Sequence, residues 1–370
     1  MASASIFPHS PVTQVQPKQM LSIEVQRHIT ENFWPASKSS LAEFAAYFKY
    51  FQWAIEILPW PETTIDATQF AAHTYGDVVK VVKCMSANRN DSRLVIAEKL
   101  ENDFPGSSRD QILRSMELTA RLWLTLHVRS RDFPTGPSLS DVREINWDAA
   151  ISLKKMISDS FPVSTYLPEA REARVDPSFT IVNLRRLCRI NVQWTANLKD
   201  HLRYDRSVET IYVYPHKICL ISHLESCDIL PKDLLHETIR TLDLLFPFGD
   251  EKTQKWLDDC GQAFYRTSSQ SMPRATDLGE FRFWRKRLVE LYDVFNQPPR
   301  SILQMWHDRR NPMQWWTFWL AALIAFMTIV FGVISSYTGF KQATLAEQAY
   351  RLSLMQTCSQ NTAIASICEQ

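Results

Sequence analysis

Glycine is scarce in this chain, with 8 residues in 370, whereas glycine makes up about 7 per cent of an average protein. So few glycines argue against a turn-rich all-β fold and against an enzyme built on a phosphate-binding loop. The seven cysteines are scattered along the chain, which predicts reduced thiols rather than a disulfide framework. The N-terminus also lacks the basic region and apolar run of a secretory signal.

The chain has no excess of either charge, with 41 basic and 40 acidic residues. A balanced chain produces no overall field that would attract nucleic acid. Local positive charge comes from Arg185, Arg186, Lys199 and Arg203. These residues precede a predicted hairpin, an arrangement similar to that of a DNA-binding winged helix. The neutral total and a membrane anchor outweigh that pattern, so we predict no nucleic-acid partner.

Catalytic motifs are missing as well. The sequence contains no GxSxG, GxGxxG or P-loop. His236 and Glu237 begin like a zinc-protease helix, but Arg240 stands where the second histidine belongs. We therefore predict no catalytic residue and no cofactor, and whether the protein is an enzyme stays open, with the sequence leaning against it.

The dominant feature that is present is an uncharged stretch over residues 311–340. About 20 apolar residues, at about 1.5 Å each, cross a hydrocarbon core of about 30 Å. Trp315, Trp316 and Trp319 cluster at one end, where indole rings favour the headgroup boundary. The sequence therefore predicts one transmembrane helix over residues 313–337, which makes the protein single-pass and tail-anchored or close to it.

Basic residues concentrate before this span: Arg285, Lys286, Arg287, Arg309 and Arg310. We interpret them as membrane-interface residues that contact anionic lipid. Only Lys341 and Arg351 follow the span, so the positive-inside rule places the large N-terminal region in the cytosol. Membrane lipid is thus a predicted partner, and the endoplasmic reticulum or another internal membrane is the predicted location.

Small residues recur along the span at steps of four and three, at Ala321, Ala325, Thr328, Gly332, Ser335 and Gly339. Such a stripe allows close approach of two helices in lipid and predicts self-association through the transmembrane helix. The alternative is that small residues are common in spans and fall on one stripe by chance. The sequence leaves both readings open.

The remaining chain predicts a mainly α fold with a small β-hairpin. The expected organisation is a disordered N-terminus (1–30), an aromatic amphipathic helix (31–60), a helical subdomain (61–165), a helical subdomain with the hairpin (166–300), a juxtamembrane helix (301–312), the transmembrane helix (313–337) and a short C-terminal tail (338–370). The aromatic helix has two alternative placements, docked on the main domain or lying on the membrane surface.

Four residues within the predicted hairpin region are able to bind zinc: His216, Cys219, His223 and Cys227. Their spacing does not match a standard zinc finger, and side chains alternate between the two faces of a strand. The competing interpretation is a buried Cys219 with exposed histidines.

Several segments resemble a recurrent pattern in uncharacterised single-pass membrane proteins of filamentous fungi. The matching segments are RLWLTLHV (121–128), NLRRL (183–187), WTANLKDHL (194–202), ETIRTLDLLFP (237–247), FWRKRLVELYDVF (283–295), and WHDRRN (306–311) running on into QWWTFW (314–319). The resemblance implies a fungal origin, a helical fold and a membrane anchor. It implies no activity and no catalytic residue.

These observations favour a membrane-anchored helical binding or scaffold protein with an unknown protein partner. The alternative is a membrane-associated enzyme or accessory protein that acts on apolar metabolites through residues far apart in sequence. A deep apolar cavity with convergent polar groups would favour the enzyme, and a solid core with an exposed apolar groove would favour the binder.

Overall fold

The computed structural model describes residues 21–56, 69–129, 143–164, 174–226, 229–262, 264, 274–297 and 312–360. The chain divides into two compact units, Met1–Gln297 and Pro298–Gln370. The fold is mainly α-helical, as predicted, with two small sheets and one long apolar C-terminal helix.

The first unit contains eleven described α-helices and five strands. In chain order they are α1 (Ile23–Phe33), α2 (Ala45–Glu56), α3 (Tyr75–Ala87), α4 (Arg93–Glu101), α5 (Arg109–Leu124), β1 (Val128–Arg129), β2 (Ile145–Asn146), α6 (Leu153–Ser160), α7 (Ile181–Cys188), β3 (Asn191–Trp194), β4 (Arg203–Asp205), β5 (Thr210–Val213), α8 (Lys217–Ser226), α9 (Lys232–Leu245), α10 (Glu251–Asp259) and α11 (Arg285–Asn296). Short 3-10 turns lie at Leu41–Phe44, Leu198–Asp200 and Leu278–Glu280.

Helix starts follow the capping residues of the sequence. The Ser108 amide donates to Gln111 Oε1 at 2.6 Å, and the Gln111 amide donates back to Ser108 Oγ at 3.3 Å. The Ser40 amide donates to Glu43 Oε2 at 2.9 Å. The sequence predicts a capping box at each site, because Ser40 precedes Glu43 and Ser108 precedes Gln111 by three residues. The observed bonds satisfy amide groups that have no partner inside the helix, so both predictions are confirmed.

A small β-hairpin is present, as predicted, but its strands are β4 and β5, which pair antiparallel. The sequence predicts it one strand later, over residues 210–214 and 218–222. The first of these segments is β5, which also pairs parallel with β3, but the second is helix α8. Every residue from Thr210 to His223 is buried. A fully buried apolar run carries no periodicity that separates a strand from a buried helix, which explains the error.

Two further boundaries differ from the sequence reading. The sequence predicts short strands at Ile145 and at residues 192–194, each followed by a helix, one capped by Asp148 and one capped by Thr195. The helix after Thr195 is instead the 3-10 turn Leu198–Asp200, capped by Asn197, and strand β4 occupies the end of that segment. Helix α6 begins after Ser152, whose hydroxyl caps it, rather than after Asp148. In both places a polar residue nearer the helix supplies the cap.

The N-terminal region is ordered earlier than predicted. Residues 1–20 lie outside the described part, but α1 begins at Ile23, within the segment predicted to be disordered. Ser22 caps this helix, and Ile29 and Phe33 are buried in the core. Burial of these apolar side chains gives the short helix its stability.

One hydrophobic core runs through the first unit. A large share of its aromatic side chains comes from the 3-10 turn Leu41–Phe44 and helix α2, where Phe44, Tyr47, Phe48 and Phe51 are almost completely buried. Of the two placements predicted for the aromatic helix, docking on the domain is therefore correct. The same core continues across the predicted subdomain boundary at residues 165 and 166, because α6, α7 and α11 all contribute to it.

A buried ion pair between Arg93 and Glu117 links α4 to α5. Sequence periodicity places Glu117 on the polar face of α5, but it is 1% exposed and lies 2.6 Å from Arg93 Nη2, itself 2% exposed. Arg93 Nη1 also donates to the Trp147 carbonyl at 2.9 Å. Two charges can be buried together because each satisfies the other.

The second unit consists, in its described part, of helix α12 (Pro312–Gln360). At about 1.5 Å per residue its 49 residues extend about 74 Å. The predicted juxtamembrane helix (301–312) lies outside the described residues except for Pro312, which begins α12. The predicted tail continues α12 as helix as far as Gln360.

Candidate functional site

Of the predicted zinc ligands, His216 lies just before helix α8, and Cys219 and His223 lie on it. His216, Cys219 and His223 are 5%, 1% and 2% exposed, and Cys227 lies outside the described residues. In the part of the chain that the structure describes, no group of three or more His, Cys, Asp or Glu side chains is arranged to hold a metal ion. The expectation of exposed histidines is also wrong, whereas that of a buried Cys219 is correct.

His216 lies in a pocket of tyrosines. Its ring centroid is 5.4 Å from those of Tyr50 and Tyr214 and 6.1 Å from that of Tyr47. Burial lowers the pKa of His216 to about 3. Its Nδ1 is buried without a hydrogen-bond partner among the described residues, so the ring is neutral and nothing stabilises the protonated form.

His223 lies on α8, seven residues after His216. Its Nε2 is 3.1 Å from the Trp123 carbonyl, and its ring packs edge-on against Trp34 at 5.5 Å. Burial lowers the pKa of His223 to about 4, although the Trp123 carbonyl acts in the opposite direction. A neutral ring that donates from Nε2 fits this environment.

Cys219 and the three tyrosines around His216 complete this buried cluster. Burial raises the pKa of the Cys219 thiol well above its ordinary value. Burial also raises the pKa values of Tyr47, Tyr50 and Tyr214. The Tyr47 and Tyr50 hydroxyls donate to the carbonyls of Leu122 and Arg121. A protonated, enclosed thiol is not a nucleophile. The cluster therefore has a structural role, in which its side chains pack α8 against α2 and α5.

The sequence does not indicate two more buried histidines, His127 and His201, because neither lies in a motif with the spacing of metal ligands or catalytic residues. Burial, together with nearby Arg121, lowers the pKa of His127 to about 3. Burial and then Arg287 lower the pKa of His201 well below its ordinary value. His201 accepts the Tyr214 amide on Nδ1 and lies 2.7 Å from Thr241 Oγ1 through Nε2. Both side chains serve the fold as neutral rings.

Glu237, which resembles part of a zinc-protease motif in the sequence, has a structural role. Its two carboxylate oxygens accept the backbone amides of Arg282, Phe283 and Trp284 at 2.7, 2.8 and 2.6 Å. The residue is 6% exposed. A carboxylate at this position satisfies the free amides that precede helix α11, and favours the positive end of the helix dipole.

Two of the residues predicted at the membrane interface are occupied inside the first unit. Arg285 is 7% exposed and donates to the Gly279 carbonyl at 2.7 Å. Arg287 donates to the carbonyls of Lys199 and His201. Both guanidinium groups therefore have hydrogen-bond partners within the first unit. Lys286 is exposed on α11, and Arg309 and Arg310 lie outside the described residues.

A cleft of about 460 Å³ lies between the starts of α7 and α10. It is open to solvent and mainly polar, with Asn183, Lys252 and Arg274 among its lining residues. The Arg274 guanidinium is already bonded to the carbonyls of Pro177, Phe179 and Leu244. The cleft is thus different from the deep apolar cavity that an enzyme for apolar metabolites requires.

The predicted transmembrane residues all lie on α12. Trp315, Trp316 and Trp319 form a cluster in which ring centroids are 5.2 and 5.9 Å apart, and a Cβ added to Gly332 would meet open space. The segment Trp315–Thr357 is long and apolar enough to cross a membrane, with a mean hydropathy of 2.4 in its most apolar window, which is not buried. An exposed helix of this kind is compatible with a single-pass membrane protein.

Comparison with known proteins adds no relative. No protein-family model, no curated protein and no solved structure matches the chain. The resemblance to fungal membrane proteins therefore stays a prediction, and the functional argument rests on the chain's own residues.

Proposed function

We propose that this protein is a membrane-anchored helical scaffold whose large N-terminal region binds a protein partner in the cytosol. The observation that carries the proposal is the contrast between the two units. Helix α12 exposes an apolar segment suited to lipid, whereas His216, Cys219 and Glu237, which the sequence offers as candidates for metal or catalytic chemistry, are buried and either neutral or bonded within the first unit. An anchor joined to such a domain localises the domain rather than supplying chemistry.

The orientation follows from the remaining basic residues. Lys286, Arg309 and Arg310 precede the apolar segment, whereas α12 contains only Lys341 and Arg351 after it. Cytoplasmic flanks carry the excess of basic residues in most single-span proteins. The proposed location is an internal membrane such as the endoplasmic reticulum, and the resemblance to fungal single-pass proteins supports an anchored role.

Self-association through α12 belongs to the same proposal. Ala325, Thr328, Gly332 and Ser335 lie on one face of α12, and all four residues are exposed. In lipid, small residues allow two backbones to approach closely, and a spacing that averages about 3.5 residues suits a left-handed crossing. A scaffold that pairs through its anchor presents two binding domains side by side.

Proximity labelling in the native host tests the scaffold role. We expect a biotin ligase fused to the N-terminus of the full chain to label proteins that a ligase fused to residues 298–370 alone does not label. Identical labelled sets from the full chain and the anchor would contradict recruitment by the domain.

Crosslinking of the full chain to a tagged second copy tests self-association through α12. The double variant Ala325→Leu and Gly332→Leu should lose the crosslink, and the matched variant Leu323→Ala should retain it. Equal crosslinking in the wild type and both variants would contradict pairing through the small residues.

A further inference from the structure

Four basic side chains from separate parts of the first unit surround one buried carboxylate. We call them the basic cluster: Arg143 before β2, Lys199 in the 3-10 turn, Arg203 at the start of β4 and Arg287 on α11. The central carboxylate is Asp200, which is 1% exposed. Asp200 Oδ1 lies 3.2 Å from Arg203 Nε, and Oδ2 accepts the Arg143 backbone amide at 3.3 Å and Asn197 Nδ2 at 2.9 Å.

The fold holds two of these cations in place. Arg287 Nη1 donates to the Lys199 carbonyl at 2.8 Å, and its guanidinium lies 5.0 Å from the centre of the Trp284 ring. Arg203 stacks over the Tyr212 ring at 3.9 Å. Planar guanidinium groups fixed on aromatic rings are oriented before any ligand arrives, which lowers the entropic cost of binding.

The charges in the cluster are not balanced. Burial, followed by the field of Arg143, lowers the pKa of Arg287 to about 10 and also lowers the pKa of Lys199. Asp200 opposes this repulsion in both cases, and the nearby Glu290 is paired with Arg206 at 3.0 Å. Asp205 acts on Arg203 as well. Among the described residues, the four cations of the cluster and Arg206 therefore face three carboxylates, Asp200, Asp205 and Glu290, which leaves an excess of two positive charges. Residues 130–142 lie outside this count.

We propose that the basic cluster is a binding site for a phosphate-bearing ligand. A local excess of about two positive charges matches a dianionic phosphoryl group better than a monoanionic carboxylate. Guanidinium groups also bind phosphate oxygens with two parallel hydrogen bonds. Two sources supply this chemistry to an anchored protein, a soluble phosphorylated metabolite and the headgroup of a phosphorylated lipid.

Calorimetry on the full chain in nanodiscs of neutral phosphatidylcholine tests the site with two probes. Pyrophosphate represents a soluble ligand, and inositol 1,4,5-trisphosphate represents a lipid headgroup. We expect at least one probe to bind at low ionic strength, and a tighter complex with one of them identifies the source. Affinity should fall as salt is added, because salt screens the cluster.

Matched variants assign the binding to the cluster. Arg143→Ala combined with Lys199→Ala should weaken binding by at least about tenfold. Both substitutions leave the fold's contacts in place, because Asp200 uses the Arg143 amide and Arg287 uses the Lys199 carbonyl. Lys252→Ala, which removes an exposed lysine of α10, should leave the affinity unchanged. Equal affinity in wild type and double variant, or no binding of either probe up to about 1 mM, would overturn the proposal.

Discussion

Acidification to about pH 5 is expected to unfold the first unit, because four buried histidines are neutral in the fold. An unfolded histidine takes up a proton below its ordinary pKa of 6.5, whereas His127 and His216 resist protonation to about pH 3 and His223 to about pH 4. The pKa of His201 is also well below 6.5. The unfolded state therefore binds more protons, and the free energy of unfolding falls as the pH drops through this window.

Each neutral buried histidine lowers the free energy of unfolding by about 1.4 kcal/mol for each pH unit below 6.5. At pH 5 each histidine costs about 2 kcal/mol and the four together about 8 kcal/mol, which is comparable with the 5–15 kcal/mol that stabilises a typical domain. Near-ultraviolet circular dichroism of the full chain in detergent, followed from pH 7 to pH 3, measures the midpoint.

His216 offers the best variant for this experiment, because its Nδ1 has no described hydrogen-bond partner to lose. His216→Phe should move the acid midpoint down by about half a pH unit, since one of four proton-binding sites of the unfolded state is removed. The exposed His73 provides the control, and His73→Gln should leave the midpoint unchanged. A midpoint that is equal in wild type and His216→Phe would contradict the role assigned to the buried ring.

Replacing Glu237 with alanine should lower the free energy of unfolding by about 3–5 kcal/mol. The substitution leaves three backbone amides, of Arg282, Phe283 and Trp284, without their acceptor. It also loosens the start of α11, whose Leu288 and Leu291 are fully buried. Urea unfolding at pH 7, followed by the same near-ultraviolet signal, measures the loss.

Two further variants separate capping from bulk effects. Glu237→Gln keeps one carbonyl acceptor and should lose about half as much stability as Glu237→Ala. Glu98→Ala, which removes an exposed glutamate of α4, should change stability by less than about 0.5 kcal/mol. A loss below about 1 kcal/mol for Glu237→Ala would mean that water replaces the carboxylate at these amides.

Local rules predict much of this fold correctly. The capping boxes at Ser40 and Ser108 are found in the structure, as are the strand at Ile145 and the strand that ends at Trp194. Each depends on contacts within a few residues, which sequence patterns report directly. The long apolar helix is predicted for the same reason, since its length and lack of charge are properties of one continuous segment.

Errors arise where distant parts of the chain decide the outcome. Helix α8 packs with α9 and the aromatic residues of α2, so every side of it is buried and its helical period is hidden. Glu117 faces inward because Arg93, 24 residues away, meets it in the core. The basic cluster also depends on tertiary structure, since Arg143 and Arg287 are far apart in sequence. A single sequence does not show which of its distant residues come into contact in the fold.

The glycosylation state of the full chain in microsomes from the endoplasmic reticulum tests the anchored, cytosolic-domain account most directly. Asn90 is exposed next to the turn before α4 and begins the only acceptor sequon, Asn90-Asp91-Ser92. The substitution Ala363→Thr creates a second acceptor at Asn361, beyond the proposed span. With the large region in the cytosol, we expect the wild type to stay unmodified and Ala363→Thr to gain one endoglycosidase-sensitive mobility shift. A shift of the wild type that Asn90→Gln abolishes would place the large region in the lumen and contradict the proposed orientation.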